Sequence, residues 1–259
     1  MNYQHKKQFG QHFLHDPTYL RRIVEAIRPT ADDLMVEIGP GQGALTRPLL
    51  EHLNRLHVVE IDRDLVAHLR EAFPEDRLVV HPADALKFDF ASLIEPGRRL
   101  RVVGNLPYNI SSPLLFHLAE TGEGIADMHF MLQKEVVDRM VAAPDTPDYG
   151  RLSVMLQARF RVAKLFNVPP GAFNPPPKVD SAVVRLAPLP AEAILHRDRV
   201  RFADLVTRAF GQRRKTLRNT LKGHLDETAY AGLGIDPQRR GETLSVAEFS
   251  ALANWVPPA

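Results

Sequence analysis

The 259 residues include no cysteine. Disulfides, thiolate zinc sites, iron–sulfur clusters and cysteine nucleophiles are therefore excluded. The sequence also lacks any run of about 18 apolar residues, so no transmembrane helix is expected. Its opening, MNYQHKKQFGQHFL, has no apolar stretch of the kind a secretory signal needs. Internal repeats and low-complexity tracts are missing as well. These absences suit a cytoplasmic chain with no membrane partner.

What is present is ordinary globular material. Hydrophobic residues make up 44% and charged residues 25%, enough to bury a real core. At about 100–200 residues per domain, the length allows one large domain or a large one with a small one. The net charge is only +2, but it is unevenly spread. From Arg197 to Lys222 nine Lys/Arg stand against two acids, Asp198 and Asp204, a local +7. Clustered basic charge suits a polyanion; a solvated helix face is the other reading of the same residues.

Along the first two thirds, short apolar runs alternate with helical patterns. Leu34–Ile38, Leu56–Glu60, Leu78–His81, Leu100–Gly104 and Met128–Leu132 read as strands. Leu45–Leu53, Leu65–Ala72, Pro113–Ala119 and Lys134–Val141 read as helices between or after them. Near-continuous apolar runs are what strands of a doubly covered parallel sheet require. The alternation predicts an α/β fold with a mostly parallel sheet. Phe160–Val168 and Ser181–Leu189 are strand-like and are expected to extend it antiparallel. Beyond Pro188–Pro190 the pattern is helical, so residues 1–190 are expected to form the catalytic domain and 191–259 a small all-helical one.

A glycine loop, Gly39-Pro40-Gly41-Gln42-Gly43, follows the first strand. A dinucleotide fingerprint needs its third glycine three places after the second; here it comes one place early. Pro40 also removes an N–H that a pyrophosphate would use. The loop therefore suits a ligand that lies against bare backbone without phosphates there. Glu60 ends the second strand, where a carboxylate can accept from both ribose hydroxyls. Asp84 follows the third strand and can accept from an adenine amino group. Alone, the loop could be only a tight turn and Glu60 a helix cap. Together, at successive strand ends, they resemble the S-adenosylmethionine site of class I methyltransferases.

Gly104-Asn105-Leu106-Pro107-Tyr108 ends the fourth strand. An exocyclic amino nitrogen on a base is a poor nucleophile, because its lone pair is delocalised into the ring. Two acceptors on its N–H groups pull it toward a tetrahedral geometry. The Asn105 side-chain oxygen is one, and the carbonyl of Leu106, held extended before proline, is the other. Tyr108 offers a face for an unstacked base. Read alone, the segment reads more readily as a strand-ending turn with a core tyrosine; after the glycine loop and its acidic partners, the amino-directed reading leads.

The sequence resembles the ribosomal RNA adenine dimethylase family over almost its whole length, and within it the bacterial small-subunit branch. The resemblance rests on FGQHFLHD (Phe9–Asp16), VEIGPGQGALT (Val36–Thr46), VVEIDRDL (Val58–Leu65), DAL (Asp84–Leu86) and GNLPYNIS (Gly104–Ser111). It continues in MLQKEVVDRM (Met131–Met140), YGRLSVM (Tyr149–Met155), PPPKVDSAVVRL (Pro175–Leu186) and FGQRRKTLRNTL (Phe210–Leu221). It implies transfer of four methyl groups from S-adenosylmethionine to N6 of two adjacent adenosines. These lie in the 3′-terminal hairpin of 16S rRNA, within the small ribosomal subunit or its precursor. It further implies a role in subunit biogenesis, a monomer, and no metal.

The resemblance also carries residue roles. Cofactor contacts fall on His12, Leu14, Gly39, Gly41, Glu60, Asp84 and Asn105. The family usually reads Gln-Asn-Phe-Leu where this sequence has Gln11-His12-Phe13-Leu14, and a histidine cannot reproduce an amide's pair of bonds; the contact at 12 could run through backbone. Phe173 is implied as the second wall of a base pocket opposite Tyr108, with a buried loop anchor as its other reading. Arg213, Arg214, Lys215 and Arg218 are implied as the rRNA grip, with Arg214 and Arg218 one turn apart on a helical run. Two other functions remain open: an assembly factor whose methylation is secondary, and a large-subunit rRNA or DNA adenine methylase.

Overall fold

The computed structural model describes residues 12–107, 110–212 and 214–256. In chain order the first part runs β1 (Phe13–Leu14), α1 (Pro17–Ile27), β2 (Leu34–Ile38), α2 (Thr46–Leu50), β3 (Leu56–Glu60), α3 (Arg63–Ala72), β4 (Leu78–Pro82), β5 (Leu100–Asn105), α4 (Ser111–Glu120), β6 (Ile125–Gln133) and α5 (Lys134–Val141). The rest runs α6 (Arg151–Gln157), β7 (Phe160–Val168), β8 (Phe173–Asn174), β9 (Ser181–Pro188), α7 (Arg199–Gly211), α8 (Leu217–Thr220), α9 (Glu227–Leu233) and α10 (Val246–Asn254).

Seven strands form one sheet in the order β4-β3-β2-β5-β6-β9-β7. Strands β2 to β6 pair in parallel, and β9 runs antiparallel to β6. The expected α/β fold and the added late strands are thus present. The central strands are apolar because both faces are covered: every residue of β2 is buried. Strand order reverses between β2 and β5, and open α/β sheets bind ligands at the carboxyl ends beside such a switch. The two strands come unusually close there: a Cβ on Gly104 would stand 2.5 Å from the Ile38 carbonyl oxygen.

Helix α1 was not evident from the sequence, yet its determinants are local. The Asp16 side chain accepts from the Thr18 N–H, Pro17 opens the first turn, and Arg28 ends the helix with φ 50°. Ile23, Val24 and Ile27 are buried against the sheet. Arg101 on β5 closes the far end: its guanidinium donates to the Ile27 carbonyl at 2.6 Å and pairs with Asp33 at 2.7 Å and Asp127 at 2.8 Å.

The chain divides into two compact units, Met1–Val137 with Ala163–Pro188, and Asp138–Val162 with Leu189–Ala259. The expected break after residue 190 differs from this division in one respect. Asp138–Val162 joins the second unit, because Tyr149, Val154 and Ala158 are buried in the same apolar core as Phe202, Val206 and Phe249. The Tyr149 hydroxyl also donates to the Leu244 carbonyl at 2.8 Å.

Candidate functional site

Gly39, Gly41 and Gly43 have φ of 65°, 58° and 83°, a conformation that side chains rarely tolerate. The loop is tied down from β3: Gly39 N–H donates to the Val59 carbonyl at 2.9 Å, and Gly41 N–H to Glu60 Oε2 at 3.3 Å. The other Glu60 oxygen accepts from Asp62 N–H at 2.9 Å. Glu60 is only 5% exposed. Burial raises its pKa, opposed by the backbone N–H groups of Asp62, Gly41 and Ile61. The carboxylate is thus held in place from two sides, and its lone pairs allow further donors.

Asp84 lies beyond β4 and is half-buried. Its Oδ1 accepts from Leu86 N–H at 3.0 Å. Ala83 N–H donates to the Glu60 carbonyl at 3.0 Å, which sets the ends of β3 and β4 side by side. Between Glu60 and Asp62 stands Ile61, apolar yet 51% exposed. Sequence reading passed over it; an apolar residue directly after an acidic strand end was the available signal.

Asn105 is the last residue of β5. Its Nδ2 donates to the His12 carbonyl at 2.9 Å. A carbonyl can only accept, so this contact fixes which side of the amide is nitrogen and turns Oδ1 the opposite way. Leu106 follows with its N–H donating to the Met131 carbonyl at 3.1 Å. Among the described residues, no backbone N–H donates to the Leu106 carbonyl. Tyr108 lies outside the described residues.

His12 acts on both sides of this arrangement. Its carbonyl holds Asn105, while ring Nδ1 donates to the Pro175 carbonyl at 2.8 Å. Ring Nδ1 is thereby engaged with the proline loop, and the residue's hold on Asn105 runs through backbone. Leu14 is buried and pairs with Phe173 across the short β1–β8 ladder.

That ladder also sets the direction of Phe173. Successive strand residues point to opposite faces. Phe173, 3% exposed, faces the apolar core with Leu14, Val168 and Val183, and the exposed Asn174 takes the outer position.

A cavity of ≈ 540 Å³ brings Leu14, Gly39 and Asn105 together with Asn174. Its lining includes neither Glu60 nor Asp84, which sit at the neighbouring strand ends, nor Phe173. Glu37 and His129 line it instead, and sequence reading missed both. They flank Val103 in register on three adjacent strands. Burial pushes the Glu37 carboxyl up to about 7, against a hydrogen bond from Thr46 Oγ1 at 2.6 Å. Burial pushes His129 down to about 4, and among the described residues neither ring nitrogen has a hydrogen-bond partner. The signal for each was a polar residue inside an apolar strand.

In the second unit the basic residues depart from one expectation. Helix α7 ends at Gly211 and α8 begins only at Leu217. Arg214 and Lys215 are exposed in the connection, so Arg214 and Arg218 do not share a continuous helical face. Thr216 stands as the residue before α8, extended with ψ 163°, which stops the helix from running through. Arg218 pairs with Glu227 at 2.8 Å, both largely exposed. Arg213 lies outside the described residues.

The family model described as Ribosomal RNA adenine dimethylase matches residues 2–257. The ribosomal RNA small subunit methyltransferase A of Aromatoleum aromaticum is 61% identical over 251 residues, covering 97% of this chain and 94% of the relative. That of Thiobacillus denitrificans is 58% identical, with 97% of each covered. Among solved structures, a dimethyladenosine transferase from Plasmodium falciparum matches with TM-score 0.81 and 27% identity, over 93% of this chain and 96% of that one. The 23S rRNA methyltransferase ErmE matches with TM-score 0.69 and 27% identity, over 93% and 98%.

Proposed function

The chain belongs to the ribosomal RNA adenine dimethylase family, and from that premise we propose how its own residues carry the reaction. It is an adenine-N6 dimethyltransferase of small-subunit rRNA that uses S-adenosylmethionine. Its substrate in this reading is the pair of adjacent adenosines in the 3′-terminal hairpin of 16S rRNA, and its role belongs to subunit biogenesis. The 61% identity to a small-subunit enzyme, against 27% to a large-subunit one, supports this over the large-subunit alternative. The reading takes the protein as a cytoplasmic monomer.

The residues present fit the cofactor. Glu60 offers a buried, doubly anchored carboxylate for two ribose hydroxyls. Over Gly39 a Cβ would meet only the Asn105 carbonyl oxygen, at 3.9 Å, so backbone lies open to a ligand there. The adjoining cavity, ≈ 540 Å³, falls within the roughly 300–1,000 Å³ usual for such sites. Asp84 is assigned to the adenine amino group, with Ile61 against the ring.

When bound, S-adenosylmethionine supplies a methyl group on a sulfonium. The protein prepares the acceptor. Asn105 Oδ1 and the Leu106 carbonyl each accept an N–H of the target amino group. Two such bonds draw nitrogen toward a tetrahedral geometry and localise its lone pair for attack. Forming the N–C bond makes the nitrogen cationic and acidic, so the proton leaves afterwards without a strong base. The His12 carbonyl keeps the amide from flipping, which would present donors to donors. The single observation that carries this reading is the Asn105–His12 bond at the end of β5. Methylation of small subunits from cells lacking the protein, read by primer extension at the 3′-terminal hairpin, tests it. Stops at two adjacent adenosines on add-back are expected, and their absence would overturn the substrate assignment.

A further inference from the structure

Two segments singled out in the sequence have no part in that chemistry: YGRLSVM and the start of FGQRRKTLRNTL. Far apart in the chain, they meet in the second unit on one cleft of ≈ 220 Å³. Its walls include Tyr149, Gly150, Arg151, Phe210 and Glu242.

The Phe210 ring is held rigidly. It lies 6.2 Å from the Tyr149 ring at 67° and 5.7 Å from the Phe249 ring at 36°. Tyr149 is itself fixed by its bond to the Leu244 carbonyl. Half-buried Phe210 therefore presents a set aromatic wall. A Cβ on Gly150 would meet nothing within 4 Å, so space stands open beside it. At the exposed edge, Arg151 Nε donates to Thr207 Oγ1 at 3.0 Å, which positions its charge. Glu242 brings a partly exposed carboxylate whose Oε1 stands 3.9 Å from Arg240 Nη1, and its backbone is fixed by the Glu242 carbonyl accepting from Asp145 N–H at 2.9 Å.

An aromatic wall, a carboxylate and a cation in one small cleft are the parts of a nucleotide site. We propose that this cleft takes one unstacked guanine of RNA. Guanine alone among the four bases carries two parallel donors, N1–H and the exocyclic amino group, on one edge. These match the two oxygens of Glu242; adenine and cytosine set a donor beside an acceptor and would meet repulsion. Phe210 supplies the stacking surface, which tolerates any base, so Glu242 is the specificity-determining residue. Arg151 meets the phosphate of the same nucleotide. The volume is below that of drug-sized sites and suits a single base. This site rests on the rRNA reading and adds to it a base-specific contact distinct from the methylated adenosines.

The test is fluorescence anisotropy of the full chain with labelled UUGUU, UUAUU, UUCUU and UUUUU. UUGUU is expected to bind roughly tenfold more tightly, the worth of one bidentate pair. Glu242→Gln should abolish that preference, and Phe210→Leu should weaken all four oligonucleotides alike. Should Phe210→Leu fail to fold, Glu242→Gln decides alone, since that side chain is 40% exposed and its change is isosteric. Equal binding of all four by the wild type, or a preference that survives Glu242→Gln, would overturn the guanine site. If the wild type methylates small subunits but shows no preference, only the cleft falls. If it prefers UUGUU but methylates no small subunits, the cleft stands and the substrate assignment falls.

Discussion

Two sets of polar groups, one in each unit, are held in opposite ways. In the first, polar groups sit at strand ends or inside the sheet and are gripped by backbone: Glu60 by two N–H groups, Asn105 by the His12 carbonyl, Arg101 by the Ile27 carbonyl. In the second, exposed charged groups on α7 and α8 form ion pairs in water, Arg208 with Asp204 and Arg218 with Glu227. A buried, backbone-held group has one geometry, which chemistry at a single nitrogen requires. An exposed pair contributes about 0–1 kcal/mol and adapts its shape, which suits a phosphate backbone. Under the proposed function, the contrast assigns reaction to the first unit and grip to the second, and each substitution below strains that assignment.

The largest effect is expected at Asn105. Asn105→Ala should lower kcat on the order of 10²–10³-fold, by analogy with loss of one preorganised transition-state contact. Affinity for small subunits should stay near native, and cofactor affinity should fall far less than kcat. Single-turnover methylation with separate binding measurements checks this; a loss confined to KM would place Asn105 outside the reacting nitrogen.

Next comes Glu37, the buried carboxyl whose pKa rises from 4.5 to about 7. Its unfolded-state pKa is the lower one, so between those values the folded state binds the extra proton. Stability from this group is full below about pH 4.5 and is lost as pH rises toward 7. Glu37→Gln should therefore raise stability at pH 8 by up to about 3 kcal/mol and change little at pH 4.5. Denaturant unfolding at the two pH values measures it, and an equal effect at both would refute the buried-charge account.

Glu60→Ala should weaken S-adenosylmethionine binding roughly 10–150-fold, the worth of about 1.5–3 kcal/mol for a charge-assisted contact. Part of that loss is indirect, because the same carboxylate holds Gly41 and Asp62. Calorimetry on Glu60→Ala would show it, and unchanged affinity would remove the ribose assignment.

The same contrast governs what could be read from the sequence. Strands β2, β3 and β5 were legible to within a residue, because burial on both faces leaves a near-continuous apolar run; the edge strand β4 was equally legible from Leu78, Val79 and Val80, although only Leu78 is fully buried. So were the glycine loop and its acidic partners, which follow strand ends. The two-residue β1–β8 ladder was not, since two residues carry no period; with it went the inward turn of Phe173. Asp138–Val162 was assigned to the wrong unit because Tyr149, Val154 and Ala158 signal burial without naming the core they enter. The break between α7 and α8 was hidden by a run of charged residues whose helical propensity is good, so composition favoured one continuous helix.

The smallest effect per residue, and the sharpest test of the separation, concerns the basic run. We expect Arg213, Arg214, Lys215 and Arg218 to contribute rRNA affinity through phosphates and nothing to chemistry. Arg214 and Lys215 are exposed in a connection, and Arg218 shares its charge with Glu227 across an exposed pair. Among the described residues, none of these three has a buried, fixed partner that could orient a reacting group. Each phosphate contact releases condensed counterions, so binding should weaken as salt rises, with a slope that counts the contacts. Changing all four to Ala should flatten that slope while S-adenosylmethionine affinity stays unaltered, because Glu60 and Asp84 belong to the other unit. Small-subunit binding across a salt series for wild type and the quadruple variant decides it. Equal slopes would make the basic run a solvated surface and move the search for the grip to the first unit.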